Sequence, residues 1–354
     1  MVIESFLSLI NSVLPFLVIL TILVFVHELG HYLIALYNGV KVDVFSIGFG
    51  KEIIGFNDKS GTRWKFSLIP LGGYVKMHGD EDASSSKKSK NTKINKDISF
   101  HHKTVFQRSA ILFAGPAANF LFSLILLIFI NCYYGLTVTK PIISELIPEK
   151  PAIEAGLMEG DLVLKVNNNQ VKSFQEIQKY LVGVDGQRII FTISRNDKIL
   201  DYSVLVQNQK VGIKGKDIYL EKLNFFESIT KSTDQILFFT KATLIGIAEI
   251  FTGSRSSDEL GGPIRIAELS SDFWQKGIHS TLWFMVLISL NLGLINLFPI
   301  PLLDGGHLLF NFIEIIKGSP LNQKSLEIFH NIGFVMLISL MLFATYNDIS
   351  RFIE

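Results

Sequence analysis

Cysteine is nearly absent from this chain of 354 residues, where Cys132 stands alone. No intrachain disulfide is possible, so any domain outside a membrane must be held by packing. Lysine and arginine are missing from the first 40 residues, which carry Glu4 instead. A start without a basic n-region argues against a cleaved signal peptide. An excess of charge of one sign is lacking too: 33 Lys and Arg face 32 Asp and Glu, for a net charge of +1. Bulk attraction to nucleic acid is therefore not implied, and no nucleic-acid partner is expected.

Apolar residues are what the chain has in quantity, 48% of the total, with a mean hydropathy of +0.37. They come in blocks. Four blocks, near 13–36, 109–133, 281–303 and 328–346, are long enough to span a bilayer. The loop between the first two holds Lys41, Lys51, Lys59, Arg63, Lys65, Lys76 and further lysines up to Lys103. By the positive-inside rule it is cytoplasmic. Both termini and the segment 134–280 then lie outside, and the loop near 313–326, with Lys317 and Lys324, returns to the cytoplasm.

Inside the first block stands His27-Glu28-Leu29-Gly30-His31. A charged residue near a bilayer centre costs roughly 2.5–3.5 kcal/mol on insertion scales, so such groups need partners. Residues i and i+4 share one helix face. His27 and His31 are thus placed to bind one metal ion, with Glu28 beside them as general base. The plainer alternative is a helix end with polar residues at the interface.

The third block carries Asn296-Leu297-Phe298-Pro299-Ile300-Pro301-Leu302-Leu303-Asp304-Gly305-Gly306-His307. Two prolines break a helix, and irregular backbone at membrane depth is tolerated only where protein or a water cavity satisfies it. Asp304 is the candidate third ligand, leaving the fourth position of a zinc site for water. His307 competes for that role, although a neutral, hydrogen-bonded histidine is the favoured reading. Asn296 bonds either substrate backbone or the broken helix; substrate is the reading preferred.

Between these motifs, 44–50 and 64–69 read as short strands, and Pro70-Leu71-Gly72-Gly73-Tyr74-Val75 as a turn into another. The Ser- and Lys-rich stretch 80–99 reads as a solvated loop. In Gly115-Pro116-Ala117-Ala118-Asn119 the small residues favour close helix packing, with Asn119 free to hydrogen-bond across. Residues 138–214 form a soluble module, with a helix near 173–182 and a hairpin across Asn196-Asp197. Residues 225–252 read as an interfacial amphipathic helix rather than a fifth span.

Taken together, these motifs resemble the site-2 protease family of intramembrane zinc metalloproteases, and within it the bacterial regulator of sigma-E protease group. His27–His31 and Asn296–Gly305 match the family's two motifs in order and separation. Gly115–Asn119, Gly72-Gly73-Tyr74-Val75 and Gly261-Gly262-Pro263-Ile264 also look like its pattern. The 138–214 module resembles a PDZ domain through Ala155-Gly156-Leu157 and Gly160-Asp161. Many members of the group carry two such modules; here there is room for one.

The resemblance implies a mainly α polytopic membrane protein with four transmembrane helices, a membrane-associated β-hairpin and one inserted α+β PDZ-like domain. The parts are expected at 1–37 (first helix), 38–107 (cytoplasmic loop, with the hairpin at 62–77), 108–134 (second helix) and 138–214 (PDZ-like). A linker with an amphipathic helix follows at 215–278, then the third span at 279–312 and the fourth at 327–348. One zinc ion would be held by His27, His31 and Asp304, with Glu28 as catalytic acid and base. Gly72, Gly73, Tyr74, Asn296, Pro299 and Pro301 would contact substrate. The implied substrates are single-pass transmembrane proteins, such as anti-sigma factors or remnant signal peptides, cut in a bacterial inner membrane after an upstream site-1-type protease. Two other classes are weighed: a silent membrane scaffold, which has no need of a polar cluster in lipid, and an ion transporter, for which no relay of carboxylates is evident.

Overall fold

The structure, a computed structural model, describes residues 2–79, 95–207, 210–216, 218–253 and 261–353. The Ser84-Ser85-Ser86 stretch read as a solvated loop lies outside them. In chain order the elements are α1 (Val2–Tyr37), β1 (Val42–Asn57), β2 (Arg63–Met77), α2 (Val105–Tyr133), β3 (Leu136–Thr139), β4 (Glu145–Leu146), α3 (Pro151–Glu154), β5 (Leu162–Val166), β6 (Asn169–Gln170) and α4 (Phe174–Leu181). There follow β7 (Arg188–Arg195), β8 (Lys198–Leu205), β9 (Ile213–Lys214), β10 (Ile218–Glu221), α5 (Phe225–Phe251), α6 (Pro263–Gln275), α7 (Ile278–Asn296), α8 (Asp304–Lys317) and α9 (Gln323–Ile353). They form two compact units, Met1–Phe129 with Ile229–Glu354, and Ile130–Ser228.

Among the described residues, four helices are long and apolar enough to cross a membrane: Val13–Tyr37, Val105–Tyr133, Ile278–Asn296 and Lys324–Arg351. Lipid tails are as apolar as leucine, so such helices associate through close packing and hydrogen bonds rather than through a hydrophobic gain. Ile19 and Leu23 of α1 pack with Phe284 and Met285 of α7, and Ile266, Leu269 and Phe273 of α6 join them. Helix α2 begins before its apolar run because Thr104 and Gln107 form a reciprocal capping pair: Gln107 Oε1 accepts from the Thr104 N–H (3.1 Å) and Thr104 Oγ1 from the Gln107 N–H (3.3 Å).

The Gly261-Gly262-Pro263 break opens a helix that the linker reading had not marked, α6. Its first turn is capped by Asp348 from α9, which is 2% exposed. The carboxylate accepts from the amides of Gly262 (2.8 Å), Ile264 (3.0 Å) and Arg265 (3.0 Å). These are the donors that a helix start leaves without partners.

The first loop differs from a hairpin confined to 62–77. All of β2 is one irregular strand, and its partner is β1. Both strands bend where glycines take positive φ, at Gly48 and Gly50 (87° each) and at Gly72 (112°). Residues 44–47 consequently pair with 63–66 on one side and 73–76 on the other, while 52–57 pairs with 63–67. The lateral order is 52–57, 63–67, 44–47, 73–77, which makes 73–77 an outer strand. The sheet is anchored to α1. Phe45 stacks on Trp64 at 4.1 Å, and Tyr32 meets both rings edge-on. Asp58, in the turn between the strands, accepts from Tyr32 Oη (2.6 Å), Trp64 Nε1 (2.9 Å) and the Thr62 amide (2.9 Å).

In the second unit, β6, β5, β7 and β8 form one antiparallel sheet. Asn196 and Asp197 both take positive φ (50° and 62°), as a two-residue hairpin turn requires. Phe191, Ile193, Val163 and Ile177 are among its fully buried residues. The Arg195 guanidinium forks onto Asp161 (2.6 and 2.7 Å) and donates to the Gly156 carbonyl (2.9 Å), so the two glycine-containing motifs of this module meet at one side chain.

Burial alone would raise the pKa of Asp58. The hydrogen bonds from Tyr32, Ser60, Trp64 and the Thr62 amide outweigh it and hold the carboxyl well below its ordinary value of 3.8. A depressed folded pKa contributes stability that is complete above the unfolded value and lost as pH falls through the folded one. Thermal unfolding of wild type and Asp58→Asn in detergent should therefore differ fully at pH 7, and the gap should narrow below pH 3.8. A gap that stays constant down to pH 3 would refute this anchoring role.

Candidate active site

Helix α1 presents His27 and His31 one turn apart, both less than 9% exposed. Asp304 reaches them from the first turn of α8. His27 Nε2 lies 3.1 Å from Asp304 Oδ2, His31 Nε2 lies 3.4 Å from the same oxygen, and the two Nε2 atoms are 3.2 Å apart. Three donor atoms thus converge, two from residues four apart and the third from a residue 273 positions beyond His31. Among the described residues, His27, His31 and Asp304 are the set that could hold a metal ion. His307 lies elsewhere, against the His330 ring at 5.6 Å and the Phe310 ring at 6.0 Å.

Each donor is held from behind. His31 Nδ1 donates to the Ile111 carbonyl of α2 at 2.8 Å. His27 Nδ1 lies 3.2 Å from Asn119 Nδ2, also on α2. Helix α2 can stand this close because position 115 has no side chain: a Cβ on Gly115 would fall 2.2 Å from His31 Nε2. The broken stretch after α7 places Asp304. Pro299 and Pro301 contribute no amide donor, and the remaining backbone closes on itself, Leu297 N–H to Leu294 O (3.1 Å), Ile300 N–H to Phe298 O (2.7 Å) and Leu303 N–H to Ile300 O (3.1 Å). This meets the requirement that irregular backbone at such depth be satisfied within the protein. Gly305 rests on that stretch so closely that a Cβ would lie 2.3 Å from the Leu297 and Phe298 carbonyl oxygens.

Farther along α8, Arg108 of α2 donates to Glu314 (2.8 Å) and to Asn311 (3.3 Å), and Asn311 donates to Ser109 Oγ (3.0 Å). These contacts fix α8 against α2.

Glu28 follows His27 on α1 and faces the sheet. Gly73 sits over it, a Cβ there lying 3.5 Å from Glu28 Cγ, and the backbone N–H of Val75 hydrogen-bonds the Glu28 carboxylate. The outer strand 73–77 therefore runs past Glu28. The other candidates are dispersed. Tyr74 stacks on Phe49 (6.1 Å) under the Lys65 ammonium (5.0 Å). Gly72 forms the bend before Gly73. Asn296 ends α7, Pro299 is exposed, and Pro301 packs against Gly333 of α9.

With zinc–nitrogen and zinc–oxygen bonds of ~2.0–2.2 Å, the edge of a tetrahedron is about 3.3–3.6 Å. The donor separations of 3.1, 3.2 and 3.4 Å lie within it or just short of its lower end. Two imidazoles and one carboxylate also suit a catalytic zinc, which keeps a fourth position open. Residues 15–340 match the model of peptidase family M50. The chain belongs to peptidase family M50. It is similar, at 37% identity over 96% of both chains, to a provisionally named zinc metalloprotease of Brucella suis. A protein of Rickettsia conorii with the same provisional name is 38% identical over 96% of this chain and 99% of its own. One of Campylobacter jejuni is 38% identical over 95% and 92%. This M50 peptidase is a zinc metalloprotease.

The close packing expected of Gly115–Asn119 against the histidine helix is present, with Gly115 against His31 and Asn119 reaching across to His27; what the sequence does not mark is that the histidines themselves are the groups met. The spacing from Gly115 to Asn119, one helical turn, is the signal that both face the same helix. Gly115→Ala should lower zinc content in the purified protein severalfold or more, because the added methyl occupies the space of the His31 ring nitrogen. Full zinc occupancy in that variant, read by elemental analysis, would show that α2 shifts without cost to the site.

Proposed function

We propose that His27, His31 and Asp304 hold the zinc of this M50 peptidase, that Glu28 is its general base and acid, and that it hydrolyses peptide bonds inside the transmembrane segments of single-pass proteins. The observation that carries this reading is the position of the donor cluster. His27 and His31 sit on α1, a helix of membrane-spanning length, Asp304 meets them from the short helix α8, and Glu28 beside them lies under the outer strand 73–77. Zinc, when bound, supplies a Lewis acid for the scissile carbonyl and favours an ionised nucleophile near neutral pH. Glu28 takes the proton of the attacking water and passes it to the leaving amine.

A helical substrate hides its carbonyls in its own hydrogen bonds. It has to unwind before it can be cut. The 73–77 edge offers backbone groups to hold the unwound segment as an added strand, with Gly73 leaving room for it against Glu28. On this reading the hairpin is membrane-associated, and residues 38–107 face the cytoplasm of a bacterial inner membrane. The termini and the PDZ-like 138–214 module lie outside. That module screens substrates by size, so that an upstream site-1-type cut precedes this one.

Cleavage of a model single-pass substrate by the reconstituted protein tests the reading. Glu28→Gln should lose roughly 10²–10⁴-fold in rate with zinc retained. A proline placed in 73–77 away from Val75, whose amide already serves Glu28, should remove one edge donor and slow cleavage roughly two- to tenfold, also with zinc retained. Deleting 138–214 should admit substrates with uncut outer domains. Equal cleavage by wild type and Glu28→Gln would refute the assigned chemistry, and unchanged cleavage by the edge-strand proline variant would refute the strand-addition step.

A further inference from the structure

Away from the donor cluster, α6 and α9 line a pocket of about 190 Å³ whose wall is wholly charged: Arg265, Glu268, Asp348 and Arg351. Each helix contributes a pair three residues apart, Arg265 with Glu268 from α6 and Asp348 with Arg351 from α9. Such pairs share one helix face. The pocket lies where a membrane-length run ends, since the apolar stretch of α9 closes at Arg351. That is the level of the lipid headgroups.

The wall is electrically balanced, two guanidiniums against two carboxylates. A ligand of one sign would satisfy one pair and repel the other. Whole small-molecule ligands occupy roughly 300 Å³ or more, so a pocket of 190 Å³ takes a headgroup rather than an entire molecule. The start of α6 is not itself the attraction, because its amides are spent on Asp348, which is 2% exposed. The side chains around that cap have capacity left. Arg265 and Glu268 pair at 2.7 Å with 40% and 43% of their side chains exposed, and an exposed pair of this kind is weak. Either partner turns to a ligand at little cost. A guanidinium forks onto phosphate oxygens, and a carboxylate accepts from an ammonium N–H.

We propose that this pocket seats the headgroup of a zwitterionic phospholipid with a primary amine, phosphatidylethanolamine, its phosphate against Arg265 and Arg351 and its ammonium against Glu268 and Asp348. Phosphatidylglycerol brings a phosphate without a cation, and phosphatidylcholine a cation without an N–H, so neither satisfies both pairs. Bound there, the lipid bridges α6 to the end of α9. Nothing in this depends on the zinc ligands, which lie on α1 and α8.

Native mass spectrometry of the full-length protein, released from detergent micelles that carry one lipid at a time, tests it. The probes are the dioleoyl forms of phosphatidylethanolamine, phosphatidylcholine and phosphatidylglycerol, which share their tails. Wild type should retain phosphatidylethanolamine roughly three- to tenfold more strongly than either of the others. Glu268→Gln should bring phosphatidylethanolamine down to the level of phosphatidylcholine and change phosphatidylcholine little. Arg351→Gln should weaken both by a similar factor, since both carry the phosphate. Both substitutions alter exposed side chains and leave Asp348 capping α6, so the fold is kept. Equal retention of the three lipids by wild type would overturn the proposal, as would an undiminished preference in Glu268→Gln. Soluble glycerophosphoethanolamine, added at the concentration of the lipid, should not displace it; displacement would assign the pocket to a free zwitterion and overturn the membrane source.

Discussion

Polar groups carried on membrane-length helices have no water to fall back on, so each must find its partner inside the protein. At this site the partners come from α2. It brings the Ile111 carbonyl behind His31, the Asn119 side chain behind His27, and Arg108 and Ser109 against α8. Because helices in lipid gain little from apolar contact, and interhelical hydrogen bonds average only about 0.6 kcal/mol, close approach has to supply the rest. Gly115 permits that approach. The donor cluster is therefore a property of three helices, although α2 contributes no ligand.

The same constraint explains why a sheet lies beside the histidine helix. Glu28 is one residue from His27, and its carboxylate also needs a partner. The Val75 amide supplies one, and Gly73 lets the strand come near enough. Asp58, Tyr32, Trp64 and Phe45 lock that sheet to α1 just beyond His31. Glu28 and the outer strand 73–77 are thus both referenced to one helix, α1.

Much of this was legible in the sequence because it depends on local spacing. The His27–His31 interval, the prolines before Asp304 and the lengths of the apolar blocks are one-dimensional signals, and the helices and the donor cluster follow them. What escaped depends on contacts between distant segments. The pairing of 44–47 with both 63–66 and 73–76 arises from bends at Gly48 and Gly72, which alternation of residue types does not encode. Helix α6 looked like a linker because its cap, Asp348, lies more than 80 residues away. That Asn119 reaches across to another helix is legible in the small residues around it; the atom it faces, His27 Nδ1, is not.

The stretch before Asp304 shows how these long-range contacts serve the site. Leu302 has φ of +78°, a left-handed conformation that costs a non-glycine residue of order 1–3 kcal/mol and persists only where the surroundings over-determine it. They do so here from both sides. Pro301 is pressed against Gly333 of α9, and Gly305 lies on the Leu297 and Phe298 carbonyls. Ten residues beyond Asp304, about 15 Å along α8, the Glu314 carboxylate is fixed by Arg108. That ion pair is only 15% and 17% exposed, so either charge alone would be left poorly solvated. The pair sets the rotation and height of α8, the strained turn sets where α8 begins, and together they leave Asp304 one position to occupy, against the two histidines.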